Sequence, residues 1–334
     1  MSRFLRIKLL PTVIINIGVA TVISGGDWDS VLLALMLLQG ISLYLFGMGL
    51  NDRLDLNQDQ INAQRGLAIP RPLVTGELSL GLANLLISSF FVSFLICSAG
   101  IYLWKKETSI DGLILSAITL GFILLYNGLF KFVPLLGPFC MGMVRGTLIL
   151  SVATMSLGKF PQWDSLVGLY AFSMTLYILA VTHFSMEEER ARPVALKLRK
   201  LLVFIAFSFP FALIYSDLYA SINTYVSGLY LHGVLFISVF LWKQTPPLSP
   251  QRTTLLFLSG MTWIDFHFFW VFVSTKRLSA SSLEDLPISE LIVAISAIPM
   301  WMIAWFLWAM FGLGFKDRTL QSSLKNEDHE RPAP

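Results

Sequence analysis

The sequence predicts an all-α protein, a polytopic bundle of about nine or ten transmembrane helices. Three observations support this prediction. First, 55% of the 334 residues are hydrophobic, 13% are charged and the mean hydropathy is +0.69, whereas soluble domains carry about 25% charged residues. Second, apolar segments of about 17–25 residues, the length that spans a bilayer as a helix, recur along the chain. Third, basic residues are unevenly divided between alternate loops.

Ten apolar segments are long enough to be counted as spans. They lie near residues 8–24, 31–50, 80–104, 112–130, 135–157, 165–185, 200–216, 222–242, 252–274 and 290–313. A cleaved signal peptide is the alternative for residues 1–25, but the later spans make cleavage unnecessary. We therefore expect a membrane domain over 1–315 and a polar, disordered cytoplasmic tail over 316–334.

The distribution of lysine and arginine predicts the orientation. With the N-terminus in the cytoplasm, 18 basic residues fall on the cytoplasmic side and 5 on the other, and Arg145 lies within a span. This asymmetry favours an integral, multi-pass protein of the bacterial inner membrane with both termini in the cytoplasm. The net charge of +3 reflects these loops rather than nucleic-acid binding, so the expected environment is the lipid bilayer. Two cysteines are too few for a disulfide framework or a zinc site.

An acidic stretch follows the second span directly. Asp52, Asp55 and Asp59 occupy positions i, i+3 and i+7, so their carboxylates share one face if the preceding helix continues. Magnesium suits such a site because it prefers hard oxygen ligands and is usually held by one or two carboxylates and substrate phosphates. Arg71, farther along, would then meet phosphate oxygens. The alternative is a solvated, charged loop between two membrane helices.

The pattern N-D-x-x-D-x-x-x-D followed by R-P-L-x-x-G resembles the first aspartate-rich motif of the UbiA superfamily of intramembrane prenyltransferases. The matching residues are Asn51, Asp52, Asp55, Asp59, Arg71, Pro72, Leu73 and Gly76. The resemblance covers about the first 310 residues and implies a UbiA-like helical bundle. It also implies a transferase that moves an isoprenoid chain from a prenyl diphosphate to an unknown acceptor, an aromatic ring being one candidate, with Mg²⁺ as cofactor. The gap from Asp59 to Arg71 is a few residues longer than the family pattern.

The resemblance assigns roles to particular side chains. The implied metal ligands are Asn51, Asp52, Asp55, Asp59 and Glu188. The implied diphosphate-binding residues are Asn51, Arg71, Tyr126, Lys131 and Arg145. The predicted catalytic residues are Asp52, Asp55 and Asp265. For Lys131 the alternative is a side chain that reaches the membrane interface, and for Arg145 it is a structural partner such as Glu188.

The second acidic motif of the family, D-x-x-x-D, is replaced after the sixth span by Glu187, Glu188 and Glu189. We predict that Glu188 faces the cavity; the alternative is a surface cluster that pairs with Arg190 and Arg192. Fewer carboxylates predict weaker metal binding, or one metal in place of two. The sequences of residues 141–146, MGMVRG, and 261–265, MTWID, resemble those of a divergent branch of the superfamily. This branch is the UbiA-like protein of the ebo gene cluster, which is associated with export of secondary metabolites or pigment precursors.

Two polar residues lie inside apolar spans. Asp265 is costly there unless it is paired, and its candidate partners are His267 and His183; it would contact the acceptor or belong to a buried hydrogen-bond network. Asn16 is expected to face the bundle interior, either at the site or as a packing contact. The altered second motif, with Arg145 and Asp265, also motivates an alternative function: a non-catalytic UbiA-like carrier or export component for a small lipophilic metabolite. A structural scaffold would not need these charges.

Overall fold

The computed structural model describes residues 4–5, 7–25, 29–64, 71–186, 201–206, 208–209, 254, 257–258, 260–262, 264–269 and 271–272. All regular structure in these ranges is helical. The α-helices are α1 Leu10–Ser24, α2 Ser30–Leu54, α3 Leu56–Gln64, α4 Pro72–Thr75, α5 Leu80–Lys105, α6 Ile110–Leu125, α7 Leu136–Leu157 and α8 Leu166–Ser185. A π-helical turn, Tyr126–Phe130, continues α6, and 3₁₀ turns precede α1 and α6.

The first six predicted spans correspond to α1, α2, α5, α6 with its π-helical turn, α7 and α8, each within a few residues. In the described ranges five of these helices are long and apolar enough to cross a membrane, and α1, with 15 residues, is a shorter apolar helix. The predicted spans near 200–216, 222–242, 252–274 and 290–313 lie wholly or partly outside the described residues. The predicted tail over 316–334 also lies outside them.

The length of α2 determines where the acidic stretch emerges. The helix begins after Asp29, whose carboxylate accepts a hydrogen bond from the Leu32 N–H at 2.9 Å and caps the first turn. It has 25 residues and is therefore about 37 Å long, which exceeds the ~30 Å hydrocarbon core of a bilayer. The last turn, which carries Asn51 and Asp52, is thus delivered to the membrane boundary.

Helix α7 is central to the bundle and packs against α1, α6 and α8. Glycine permits its close approach to α8. A Cβ atom at Gly146 would lie 2.0 Å from Thr175 Oγ1, and one at Gly142 would lie 2.5 Å from the Thr175 carbonyl oxygen. Small residues at such positions are a common means of close helix packing in membranes.

The outer face of α5 carries large apolar side chains that are exposed, including Leu85, Ile96 and Leu103. Such a continuous apolar face is rare on soluble monomers but is expected where helices meet lipid. Together with the five long apolar helices, it identifies an integral, multi-pass membrane protein.

The alternating helix directions bring one set of helix ends together. At one end of the bundle α1, α5 and α7 begin, and α2, the π-helical turn and α8 end. At the opposite end Asp29 accepts a hydrogen bond from the Trp104 indole at 2.8 Å and pairs with Lys105 Nζ at 3.3 Å. The acidic stretch therefore meets the starts and ends of the helices that carry the other predicted site residues.

A candidate active site at one end of the bundle

Helical hydrogen bonding continues from α2 into α3 through Asp55. This residue has helical backbone angles, φ −80° and ψ −4°. Its N–H donates to the Asn51 carbonyl at 3.0 Å, and the Asp59 N–H donates to the Asp55 carbonyl at 2.8 Å. The carboxylates of Asp52, Asp55 and Asp59 are therefore kept on one face, as the sequence spacing predicts.

One guanidinium nitrogen joins the three carboxylates. Arg71 Nη1 lies 2.7 Å from Asp52 Oδ1, 3.1 Å from Asp59 Oδ2 and 3.5 Å from Asp55 Oδ2. Arg71 is the N-cap residue of α4, in extended conformation, and Pro72 follows it as the first helical residue. Pro is well suited to that position, so the R-P pair sets the direction in which the arginine leaves the turn. The positive charge offsets the repulsion among the carboxylates.

Lys131 supplies a second cation to the same cluster. It follows the π-helical turn, a local geometry often found at functional sites, and forms an ion pair with Asp55. The Asn51 amide lies 3.0 Å from both Asp55 Oδ2 and Lys131 Nζ. With its NH₂ group toward the carboxylate it donates to Asp55, and its oxygen then accepts from the ammonium. The Asn127 side chain is a further 2.9 Å neighbour of this amide.

Asp59 is the least satisfied member of the cluster. Its Oδ2 atom is buried and has no hydrogen-bond partner with good geometry among the described residues, although Arg71 Nη1 is 3.1 Å away. Burial raises the pKa of the Asp59 carboxyl to about 6; Asp55 and Asp52 act in the same direction, whereas Arg71 opposes the shift. A carboxylate oxygen in this condition would gain from an additional cation.

A cavity of about 370 Å³ adjoins the cluster, within the range of ligand-binding cavities. Its mouth is lined by Asn51, Arg71, Tyr126, Asn127 and Lys131. Its walls are mainly apolar and include Leu43, Gly47, Met141, Leu148, Ile178 and Val181. Along α2 the lining runs from residue 51 to residue 40, which is about 16 Å of helix. The mouth is therefore cationic and the interior apolar, while the three carboxylates lie behind the cations.

A second polar group lies deeper and ties four segments together. Arg145 Nη1 donates to Asn16 Oδ1 at 2.8 Å, and Nη2 donates to Thr12 Oγ1 at 3.0 Å. Asn16 Nδ2 donates to Asp265 Oδ1 at 2.7 Å and to the Tyr170 hydroxyl at 3.0 Å. Tyr170 in turn donates to Asp265 Oδ1 at 2.5 Å. Asn16 thus links the partly buried Arg145 to the buried Asp265 without direct contact between the two charged groups.

A family model described as the UbiA prenyltransferase family matches residues 9–261 of this chain. The chain belongs to the UbiA prenyltransferase family. The match includes the acidic stretch and ends four residues before Asp265. No curated protein matches the chain in sequence.

Solved UbiA structures share the fold. The apo structure of a UbiA homolog from Aeropyrum pernix K1 has a TM-score of 0.58 and 17% identity, and the alignment covers 81% of this chain and 98% of that one. A UbiA homolog from Archaeoglobus fulgidus bound to GPP and Mg²⁺ has a TM-score of 0.52 and 16% identity, with coverages of 81% and 99%. A digeranylgeranylglyceryl phosphate synthase has a TM-score of 0.51 and 18% identity, with coverages of 82% and 97%.

The donor set of the UbiA-family chain suits magnesium in part. Asp52, Asp55 and Asp59 offer hard carboxylate oxygens around one cationic atom, and the buried Asp59 Oδ2 is unsatisfied. Yet the described residues contain no group of three or more His, Cys, Asp and Glu side chains positioned to hold a metal ion by themselves. Substrate phosphate oxygens and water would have to complete the coordination, which is the usual manner of Mg²⁺ binding.

The structure divides the predicted site residues into two groups. The end of the bundle brings together Asn51, Asp52, Asp55, Asp59, Arg71, Tyr126 and Lys131. Arg145 and Asp265 belong to the deeper network instead. Glu188, the predicted ligand from the altered second motif, lies outside the described residues.

Some contacts differ from the sequence expectation. The prediction that Asn16 faces the bundle interior is confirmed, because it is fully buried. Asp265 bonds to Asn16 and Tyr170 rather than to the suggested His267 or His183. Sequence reasoning did not select Tyr170, Thr12 or Asn127 as site residues. A hydroxyl within an apolar span needs a partner, and this is the one sequence feature that could have identified Tyr170.

Proposed function

We propose that this protein is an integral-membrane prenyltransferase that moves an isoprenoid chain from a prenyl diphosphate to an acceptor and uses Mg²⁺ as cofactor. The observation that supports it best is the mouth of the cavity. There Arg71 and Lys131 form ion pairs with the carboxylates of the acidic stretch and line the entrance to an apolar interior. This arrangement suits a ligand with an anionic head and an apolar chain.

In this proposal the diphosphate binds at the mouth. Arg71 and Lys131 donate to its oxygens, and Asn51 and Tyr126 line the same opening. Asp52, Asp55 and Asp59 would hold the magnesium ion, which when bound supplies positive charge to the leaving diphosphate. Because Arg71 now contacts all three carboxylates, its guanidinium would turn toward the phosphate oxygens as the metal binds.

The transfer breaks the bond between the allylic C1 and the diphosphate oxygen, and the electron pair leaves with the diphosphate. Arg71 and Lys131 neutralise the charge that grows on the leaving group. The apolar walls of the cavity hold the isoprenoid chain and exclude water from the electron-deficient C1. The acceptor forms the new bond to C1 and loses a proton.

The distribution of basic residues supports a mouth on the cytoplasmic side of a bacterial inner membrane. Arg53 lies within the acidic stretch, Arg71 comes after it and Lys131 follows the π-helical turn, all at the same end of the bundle. The opposite loops carry only five basic residues in the sequence count. This end would meet magnesium and soluble metabolites.

One observation favours the alternative, a non-catalytic carrier for a lipophilic metabolite. In this structure the polar mouth of the cavity is lined by Asn51, Arg71 and Lys131. The carboxylates of the acidic stretch form ion pairs with Arg71 and Lys131. A carrier with an apolar cavity and a cationic mouth would need no metal. The two functions therefore differ in whether magnesium strengthens ligand binding.

Binding of geranyl, farnesyl and geranylgeranyl diphosphates to the purified protein, with and without Mg²⁺, tests the proposal. We expect Mg²⁺ to tighten binding at least tenfold, and Asp55→Asn to abolish that gain. Asp111→Asn is the matched control, because Asp111 is an exposed carboxylate at the opposite end of the bundle. Binding that is equally tight without Mg²⁺ and in Asp55→Asn would refute the transferase and favour the carrier.

A further inference from the structure

One nitrogen of Arg71 lies at the centre of the acidic stretch. Its Nη1 atom is 2.7 Å from Asp52 Oδ1, 3.1 Å from Asp59 Oδ2 and 3.5 Å from Asp55 Oδ2. An arginine that recognises a carboxylate frequently places two nitrogens side by side on the two oxygens of one partner. Here a single nitrogen faces one oxygen from each of three carboxylates. This is the arrangement of a small cation among its ligands rather than that of a planar fork.

The hydrogen-bonding capacity of this nitrogen is too small for three oxygens. A terminal guanidinium nitrogen carries two N–H groups, so at least one of the oxygens faces the positive charge without a hydrogen bond of its own. The contact with Asp52 is a hydrogen bond, whereas Asp59 Oδ2 is buried and has no partner of good geometry among the described residues. A divalent ion, which takes more oxygen ligands, would satisfy the three carboxylates better.

Arg71 and a magnesium ion cannot share this position. Magnesium binds oxygen at about 2.0–2.1 Å, which is shorter than any of the three contacts of Nη1. Repulsion between the two cations acts in the same direction. In the part of the chain that the structure describes, the carboxylates are also not positioned to hold a metal ion by themselves. The guanidinium therefore has to leave the acidic stretch before the metal can enter.

The side chain of Arg71 can leave while its backbone stays in place. Its neighbour Leu73 belongs to a buried apolar cluster with Leu45 of α2 and Leu78, which anchors α4. The Arg71 side chain is 31% exposed, whereas that of Asp52 is 2% exposed. Arg71 also lines the mouth of the cavity. Rotation of its side chain toward the mouth would thus disturb little packing and bring its charge to the head group of a ligand.

We propose that Arg71 is a built-in counterion that keeps magnesium out of the acidic stretch until an anionic head group at the mouth draws the guanidinium away. Its partners are the carboxylates in one state and the oxygens of the head group in the other. The metal and the head group then strengthen each other's binding, and this coupling is reciprocal. The coupling to a prenyl diphosphate rests on the proposed function, whereas the exclusion of the metal rests on the contacts of Arg71 alone.

Binding of Mn²⁺ alone to the purified full-length protein, followed by the electron paramagnetic resonance signal of the free ion, tests the exclusion. Mn²⁺ takes the same kind of carboxylate ligands as Mg²⁺. Arg71→Met removes the charge and the donors, and it should tighten Mn²⁺ binding at least tenfold, within the 5–150-fold range of typical coupling. Arg71→Gln is a second neutral variant with the same expected result. Arg71→Lys keeps a cation and should stay within threefold of the wild type.

Two controls locate the effect at the three carboxylates. Arg53→Met removes a positive charge from the same segment of chain, but Arg53 donates to Asn84 Oδ1 at 3.3 Å, so Mn²⁺ affinity should change less than threefold. Asp59→Asn, added to Arg71→Met, removes one metal ligand and should reverse the gain. The proposal is overturned if the neutral Arg71 variants bind Mn²⁺ no tighter than the wild type, or if Arg53→Met produces an equal gain.

Geranyl diphosphate, added to the same samples, separates this proposal from the proposed function. With the ligand bound, and after correction for Mn²⁺ held by the free ligand, the wild type should gain at least tenfold in Mn²⁺ affinity and Arg71→Met should gain less. Equal gains would overturn the coupling. If the neutral variants bind Mn²⁺ tighter but no prenyl diphosphate binds, the exclusion stands and the transferase fails. If Mg²⁺ tightens geranyl diphosphate binding but the neutral variants bind Mn²⁺ no tighter, the transferase stands and this proposal fails.

Discussion

Replacement of Asn16 by leucine, a side chain of similar size, removes the centre of the deep network. Three hydrogen bonds disappear, to Arg145 at 2.8 Å, Asp265 at 2.7 Å and Tyr170 at 3.0 Å. Side-chain hydrogen bonds between membrane helices contribute about 0.6 kcal/mol on average, which gives about 2 kcal/mol. Arg145 also loses its link to Asp265 through Asn16, which acts in the same direction. We therefore expect a loss of about 2 kcal/mol or more.

The assay is the free energy of unfolding in mixed detergent and dodecyl sulfate micelles. Thr12→Val is the matched control on the same helix, because it removes the 3.0 Å bond from Arg145 and the 2.7 Å bond to the Leu9 carbonyl but leaves Asn16 in place, and it should cost about 1 kcal/mol. If Asn16→Leu costs no more than Thr12→Val, Asn16 is not the centre of the deep network, and this account of the network is refuted.

Three further predictions concern the helix ends, the packing and the mouth. Asp29→Ala removes the cap of α2 and should cost about 1 kcal/mol in unfolding free energy. Partial burial would raise the pKa of Asp29, but hydrogen bonds from Leu32 and the Trp104 indole and the charge of Lys105 hold it below 3.8. The stability that the Asp29 carboxylate contributes is therefore present above pH 3.8 and is lost as the pH falls through the lowered pKa. An acid titration of stability with no difference between wild type and Asp29→Ala would contradict this. Gly146→Val would add a side chain whose Cβ alone would lie 2.0 Å from Thr175 Oγ1. We expect it to lower the free energy of unfolding by about 1–3 kcal/mol, and an unchanged melting temperature would show that α7 and α8 can separate at no cost. Lys131→Gln should weaken geranyl diphosphate binding about tenfold or more by loss of a charge-assisted hydrogen bond; isothermal titration measures it, Lys159→Gln is the control, and equal affinities would remove Lys131 from the site.

Much of the fold follows from hydropathy, because a bilayer requires long apolar helices with internally satisfied backbones. The six described spans lie within a few residues of their predicted positions. The shared face of Asp52, Asp55 and Asp59 was also predictable, since it depends only on helix continuation across a junction, and the hydrogen bonds of Asp55 and Asp59 provide that continuation.

The rest depends on tertiary proximity that local periodicity does not encode. The bonds of Asn16 to Arg145 and Asp265 join residues separated by 129 and 249 positions. A polar residue within a span indicates that it needs a hydrogen-bond partner, but the sequence does not indicate which one. His267 and His183 were therefore equally reasonable partners for Asp265. The gathering of three carboxylates by Arg71 depends on how the chain returns from α3 to α4, a path that sequence spacing alone leaves open.

The most direct test of the central claim is prenyl transfer itself. Membranes that contain the protein would be incubated with radiolabelled geranylgeranyl diphosphate, Mg²⁺ and an extract of the host's small molecules, and both labelled product and released inorganic diphosphate would be measured. We predict equal molar amounts of the two, both lost in Asp52→Asn and both retained in Asp111→Asn. If the label remains as intact geranylgeranyl diphosphate while the protein binds it, the protein is not a prenyltransferase for this donor, and the carrier becomes the better account.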